Sequence, residues 1–568
     1  MQPLNLVLLW HMHQPDYRNY KTGEFTLPWV YLHAIKDYTD MAHHLEAHPR
    51  IKAVVNFVPV LLDQLEDYAA QFALGRMRDP LLRLLVAPDL EQVSASERLR
   101  VFDSCFSSNH TTMMQPYPAY QRLYDLHEML RGHGEAQLAY LSGQYLADLL
   151  VWYHLAWTGE SVRRGNEVVA RLMAQGGSFS HADRVELFNL IGELIQGLIP
   201  RYRKLAESGQ IELSTTPHYH PLSPLLIDFS SARDSLSGVA LPTEEVYPGG
   251  RSRVAFHLTS AIESHARRFG TKPIGVWPAE GAVSAPLLEI LAEHGCQWSA
   301  SSEGVLVNSL HKSYPDKPLP ERGRYLYRPY RVQGRADGVT CFFRDDKLSD
   351  MIGFEYAKWF GRDAAEHLVH SFEEISRDAP AGENPVVSVI LDGENAWEYY
   401  PYNGYYFFND LYEILENHPS IRATTYRDYV ASPEYAGAAV LPVLAAGSWV
   451  YGTFSTWIGD HDKNHAWDLL CAVKHSYDLV MQSGRLTDEE KAAAGRQLAS
   501  CESSDWFWWL GDYNPPNVVE GFDKLFRDNL ANLYSLLKLP VPAAVLKPIS
   551  HGSGHPESGG TMRRATLE

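Results

Sequence analysis

The sequence predicts an α/β fold, a parallel sheet closed into a barrel, with a helical insertion and a helical C-terminal region. Three observations predict it. Short, continuously apolar runs recur along the first three quarters of the chain, as strands buried on both faces require. Helical periodicities lie between most of them, the alternation that builds parallel sheets. That rhythm breaks between about 75 and 205, and again after about 425, where only helical patterns remain.

The first strand is read at LNLVLLW (4–10) and the second at IKAVVNFVPV (51–60). The stretch from about 75 to 205 is mostly helical, with no good strand, and is expected to lie over the barrel mouth or edge. Further strands are read at IELST (211–215), IGVWP (274–278), VTCFF (339–343) and VVSVIL (386–391). Helices are read at 187–209 and 364–378. The barrel unit is expected to span 1–425 and a helical unit 426–540. The latter has helices at 465–484, 487–500 and 518–539, the middle one opening on a Thr487/Glu490 capping box. Residues 541–568 end in a Gly/Ser/His-rich stretch and are expected to be disordered.

Composition narrows the function. The chain has 568 residues and a formal net charge of −19. With no basic run to offset that charge, a nucleic-acid partner is disfavoured. Apolar residues at 45% and charged residues at 21% are ordinary for a globular protein. No stretch approaches the roughly 20 apolar residues of a membrane span, and no signal peptide is visible, so a cytoplasmic location is expected. Five scattered cysteines, an odd number without a CxxC pair, indicate neither a disulfide framework nor a thiolate metal site. The 14 Trp and 32 Tyr residues suit a sugar ligand, because the C–H faces of sugars pack on aromatic rings, although most such rings belong to cores.

Four strands end in chemistry-bearing clusters: HMHQP (11–15), TPHYHPLSPLL (216–226), PAEGAVS (278–284) and DGENAWEYY (392–400). In a parallel barrel these ends meet on one face, where active sites are built. Glu280 follows Trp277-Pro278; it is either a helix-start carboxylate or a carboxylate held beside a ligand. Asp392 follows six apolar residues, an environment that can keep a carboxyl protonated, unless it is only an N-cap. Spacing alone leaves Asp392, Glu394 and Glu398 as alternatives. His11 and His13, two apart on a strand, point the same way, and His218 and His220 repeat the spacing. They can bind ligand hydroxyls or, as four histidines, a zinc ion.

Taken together these clusters resemble glycoside hydrolase family 57, known by five short regions in fixed order. The counterparts are HMHQP (11–15), GQIELSTTPHYHP (209–221), GVWPAE (275–280), LDGENAWEYYP (391–401) and GSWVYGTFSTWIGDHDKNHAW (447–467). FRDDKLSDMIGFEY (343–356) and SSDWFWWLGD (503–512) resemble segments of its α-amylase and amylopullulanase-like members. The resemblance covers about 4–540. It implies an incomplete (β/α)7 barrel followed by a helical domain that completes the cleft, a retaining mechanism on α-glucans, and no metal or other cofactor. The family's nucleophile falls on Glu280 and its acid/base on Asp392. Substrate contacts fall on His11, His13, His220, Trp277, Trp397 and Trp457. PAEGAVS lacks a second tryptophan seen in some transferases of the family.

Retention needs the two carboxyls about 5–5.5 Å apart. Hydrolysis of α-1,4 and of α-1,6 bonds are both open, as is transfer by a 4-α-glucanotransferase or branching enzyme. The rivals are a zinc hydrolase of the α-mannosidase or deacetylase type, and a glucan-binding protein without activity. The expected partner is an α-glucan or maltooligosaccharide.

Overall fold

The computed structural model describes residues 3–334, 338–380, 382–435, 437–554 and 562–565. Its strands are β1 (Leu4–Met12), β2 (Ala53–Phe57), β3 (Ile211–Thr215), β4 (Gly275–Val276), β5 (Trp298–Ser302), β6 (Tyr330–Val332), β7 (Thr340–Arg344), β8 (Val386–Asp392), β9 (Ile421–Thr424) and β10 (Ala439–Leu441). Seven of them close a ring of parallel pairs, β1–β2–β3–β4–β5–β7–β8 and back to β1. β9 adds to the start of β1, while β6 runs antiparallel along β7 and carries β10. The ring with its helices is the seven-stranded parallel barrel that the sequence predicts.

Strand alternation decides what fills it. Val7, Leu9, Val54, Trp298, Ala300, Phe342, Val386 and Ile390 point inward and pack as one cluster, with Tyr426 and Tyr429 alongside. Leu6, Leu8 and Trp10 face the surrounding helices and join the large outer core. The same alternation sends His11, Asn56 and Asp392 inward, one position beyond the last apolar layer. Register levels them, with Trp10–Val55 and Trp10–Leu391 pairs immediately below His11–Asn56 and His11–Asp392. The catalytic-type cluster is therefore the top layer of the barrel core.

β5 is the barrel strand that the sequence does not announce. Its WSASS carries no apolar run, yet every residue is buried. The three serine hydroxyls donate to the carbonyls of Val276, Gly281 and Ser448 at 2.6–3.0 Å. Hydrogen-bonded hydroxyls are tolerated in a core, so a serine strand fits where an apolar pattern was sought.

Between β2 and β3 lie helices only, from Pro59–Leu74 to His181–Glu207. Beyond β10 come helices His461–Gln482, Asp488–Cys501, Asp505–Trp509 and Pro516–Leu536. The Thr487 hydroxyl and the Glu490 carboxylate form both bonds of the capping box. The expected disordered tail differs from the structure where it is described. Val545 and Ile549 are buried, the N–H of Ile549 donates to Asp523, and Ala565 is 3% exposed. Its glycines and serines fold because residues 541–554 and 562–565 have surfaces to bind; residues 555–561 and 566–568 lie outside the described residues. Among the described residues no helix is long and apolar enough to cross a membrane, and the five cysteines are buried and free.

Candidate active site

β1 delivers His11, whose Nδ1–H donates to Asn56 Oδ1 at 2.7 Å. Asn56 in turn donates to Ser214 and accepts from Thr216, so the His11 ring is locked by a satisfied polar layer across β1, β2 and β3. β8 delivers Asp392. Gly393 follows because a Cβ there would meet the Met12 sulfur at 2.1 Å, and this close approach lets the chain turn directly after the carboxyl. Asn395 donates to Asp392 Oδ2 at 2.8 Å.

Glu280 ends the β4 region in a left-handed conformation, φ +60°, and His220 shares it, φ +57°. For residues with a Cβ this costs about 1–2 kcal/mol each, and such strain clusters at functional sites. Two loops hold Glu280 there. The 447–451 loop pairs with Val283, its Trp449 N–H donates to the Glu280 carbonyl at 3.0 Å, and the Trp449 indole N–H donates to Oε2 at 3.1 Å. From the C-terminal helices, the Ser504 hydroxyl donates to Oε1 at 3.3 Å. Because Ser504 spends its one proton on Glu280, His220 Nδ1–H must donate to Ser504 Oγ at 2.9 Å. The result is a relay from His220 through Ser504 to Glu280.

Helix Asp505–Trp509 adds a third carboxyl. Asp505 accepts from His13 Nε2–H at 2.9 Å. Its position is set by Glu502, three residues earlier. Glu502 is fully buried and accepts from Arg253, His257 and Tyr247 at 2.6–3.1 Å. That network ties the Ser503–Asp505 turn to the helix Gly250–Phe269.

The electrostatics follow from burial. Glu280 is pushed up from 4.5 to about 8, first by burial and then by the charges of Asp505 and Asp392. Asp392 is pushed up to about 6 by burial, opposed by Asn395 and the Arg344 charge. Asp392 is therefore near enough to act on Glu280. Glu394, also buried and raised, accepts from the backbone N–H of His13. Glu398 lies beside Lys36, His33 and Asp37. Of the three acids that spacing left open, Asp392 ends β8 level with His11, and its charge raises Glu280. Burial lowers His11 and His13 to about 3 and His220 well below its ordinary value, so all three imidazoles are neutral. His13 Nδ1 and His220 Nε2 are buried and lack a partner among the described residues. They are bare acceptors facing the cluster.

His13, His220 and Asp505 offer atoms within 4.8 Å of one another, as a metal site would. Ring geometry argues otherwise. The two imidazoles stack at 3.8 Å, 18° from parallel, so their in-plane lone pairs run side by side. An ion midway would sit about 1.9 Å out of each ring plane, although Zn–N bonds of about 2.0–2.1 Å need it in plane. The four-histidine zinc reading also loses His218, which turns away to Asp63 and Ser260 at 2.7 Å each. The positive φ of His220 breaks the shared direction that two-residue spacing suggested.

The tryptophans separate. Trp277 is fully buried, packing against Trp449 at 5.3 Å and His11 at 6.3 Å, and forms the floor of the cluster. Trp397 does not line the cleft: it is 1% exposed, donates to the Gly393 carbonyl, and packs on Trp10 and Phe408. Trp457 is likewise fully buried, against Trp508. Both are buried among other aromatic rings. Sequence reasoning missed Trp449, Ser504 and Asp505, although all three lie in quoted segments. A recess of about 1080 Å³ lined by Arg322, Tyr327, Lys347 and His367 lies apart from this cluster and shares none of its residues.

The model of the glycosyl hydrolase family 57 matches residues 7–443. The chain belongs to glycosyl hydrolase family 57. Its fold is similar to the branching enzyme of Thermococcus kodakaraensis, with TM-score 0.58 and 14% identity over 97% of this chain and 94% of that one. The branching enzyme of Pyrococcus horikoshii gives 0.56 and 15%, covering both chains fully. An α-amylase of Thermotoga maritima gives 0.54 and 13% over 95% and 94%. Identities this low speak for the fold, and the family 57 chain must be read for activity from its own site.

Proposed function

We propose that this family 57 chain is a retaining glycosidase of α-glucans, with Glu280 as nucleophile and Asp392 as general acid/base. One observation carries the reading. Glu280 is held in strained backbone with a hydrogen-bond donor on each oxygen, beside a second buried carboxyl whose charge it feels. In the first step Glu280 Oε attacks the anomeric carbon while Asp392 gives its proton to the departing glycosidic oxygen. In the second, Asp392 takes a proton from the incoming acceptor, whose oxygen displaces Glu280.

Burial and the charges of Asp505 and Asp392 raise Glu280, so it must be ionised for attack. Positive charge developing at the anomeric carbon favours the ionised Glu280, and Asp392, with only Asn395 donating to it, is free to carry the proton to the leaving oxygen. The Trp449 and Ser504 donors stabilise the ionised form. His13 Nδ1 and His220 Nε2 accept hydrogen bonds from sugar hydroxyls. An α-glucan substrate fits this site and the named activities of the similar folds.

Water as acceptor gives hydrolysis and a sugar hydroxyl gives transfer. The depth of Glu280, 8% exposed, favours exclusion of water and so supports the transfer reading beside hydrolysis. Incubation with maltoheptaose, with products resolved by chain length and new α-1,6 protons sought by NMR, tests both. Shorter sugars alone mean hydrolysis, longer or branched ones mean transfer, and no change in either overturns the proposal. Glu280→Gln and Asp392→Asn are expected to lose nearly all turnover while keeping the fold; full activity in either rejects the assignment.

A further inference from the structure

Residues 562–565 contact segments 350–355, 451 and 508–513. The Ala565 N–H donates to Asp350 Oδ2 at 2.9 Å, and its carbonyl accepts from the Tyr451 N–H at 2.9 Å. Arg564 pairs with Glu355 at 2.5 Å and lies over the Phe354 ring. Arg563 lies over Tyr513 at 4.1 Å and over Trp508 at 5.1 Å. Three consecutive residues thus hold the barrel side, at 350–355 and 451, and the helical side, at 508–513.

Each anchor stands close to the chemistry. Tyr451, itself at φ +58°, is two residues beyond Trp449, the donor to Glu280. Asp350 accepts from Arg344, whose guanidinium lies over Trp449 and whose charge acts on Asp392. Trp508 is three residues beyond Asp505. The contacts are backbone hydrogen bonds, an ion pair and cation–ring stacking rather than an apolar plug.

We propose that Arg563–Ala565 is a strap bridging the two walls of the cleft, so that α-glucans enter by a chain end and not by mid-chain. The inference rests on the α-glucan reading above. A bridged cleft can be threaded by a free end. It cannot be entered sideways by an internal segment or by a closed ring.

The test compares binding of linear maltoheptaose with that of a large-ring cyclic α-1,4-glucan, which has no end. Both are measured by calorimetry on the full chain, on the full-length Arg563→Glu/Arg564→Glu variant, and on a chain ending at Gly554. The wild type is expected to bind the linear sugar at least about tenfold more tightly than the ring. Both variants are expected to tighten ring binding at least about tenfold while linear binding moves less than about threefold. A thermal melt on each protein checks folding, and the full-length double variant decides if the shortened chain fails to fold. An unchanged ring-to-linear ratio in a folded variant overturns the strap and leaves the α-glucan reading standing, as does loss of linear binding. A wild type that binds neither sugar overturns the α-glucan reading and the strap with it.

Discussion

Asp505→Asn isolates the electrostatic logic of the site. His220 Nδ1 lies 3.8 Å from a Glu280 oxygen and 3.9 Å from an Asp505 oxygen, so those oxygens are within about 8 Å of each other. At an effective dielectric of about 20, a unit charge at that distance acts with about 2 kcal/mol, or about 1.5 pH units. An anion nearby disfavours a second one, so removing it lowers the pKa of Glu280 from about 8 toward about 6.5. Asparagine keeps an acceptor for His13 Nε2–H. If the active form is the Glu280–Asp392 pair carrying one proton, the wild-type rate is bell-shaped. Its acid limb falls near about 6 and its alkaline limb near about 8. The neutral histidines add no limb. The assay is kcat/KM against pH on an aryl maltooligoside. The alkaline limb of Asp505→Asn is expected to move about 1–1.5 units acidward. A limb that stays within about 0.3 unit of the wild type in a folded variant refutes this reasoning.

Two further outcomes follow from the same contacts. Trp449→Phe removes a donor to Glu280 Oε2; a hydrogen bond to a charged group is worth about 1.5–3 kcal/mol. The variant is expected to lose about 10–100-fold in kcat/KM and to move the alkaline limb upward, opposite to Asp505→Asn; a downward move contradicts the account. Arg253 and His257 hold the buried Glu502 carboxyl well below the usual range, so its stabilisation is full above about pH 4.3 and is lost as the pH falls below that value. Glu502→Gln strands the buried Arg253 charge and is expected to cost about 3 kcal/mol at pH 7. A melt should show a lower Tm and weaker pH dependence on the acid side, and an unchanged melt contradicts it.

Much of this was legible in the sequence because strand alternation carries it. The apolar runs ending at His11 and Asp392 put both side chains on the inward face, and IELST is β3 residue for residue. What escaped lacked such periodicity. β5 hides as buried serines with satisfied hydroxyls. Ser504 precedes and Asp505 opens a five-residue helix whose place depends on Glu502 meeting Arg253, 249 residues earlier. Such a contact leaves no local trace. Trp397 and Trp457 show the converse error, since a tryptophan in a motif looks like a binding platform until the surrounding core is known. His218 failed because two-residue spacing means a shared direction only in extended backbone, and His220 leaves it.

The most direct measurement of the central claim is to trap the glycosyl–enzyme ester. The protein is treated with a slow 5-fluoro-α-glucosyl fluoride, digested, and its labelled peptide sequenced by mass spectrometry. One hexose on Glu280, absent in Glu280→Gln, is the expected result. A label on Asp392 or Glu394, or steady turnover with inverted product and no adduct, contradicts the account.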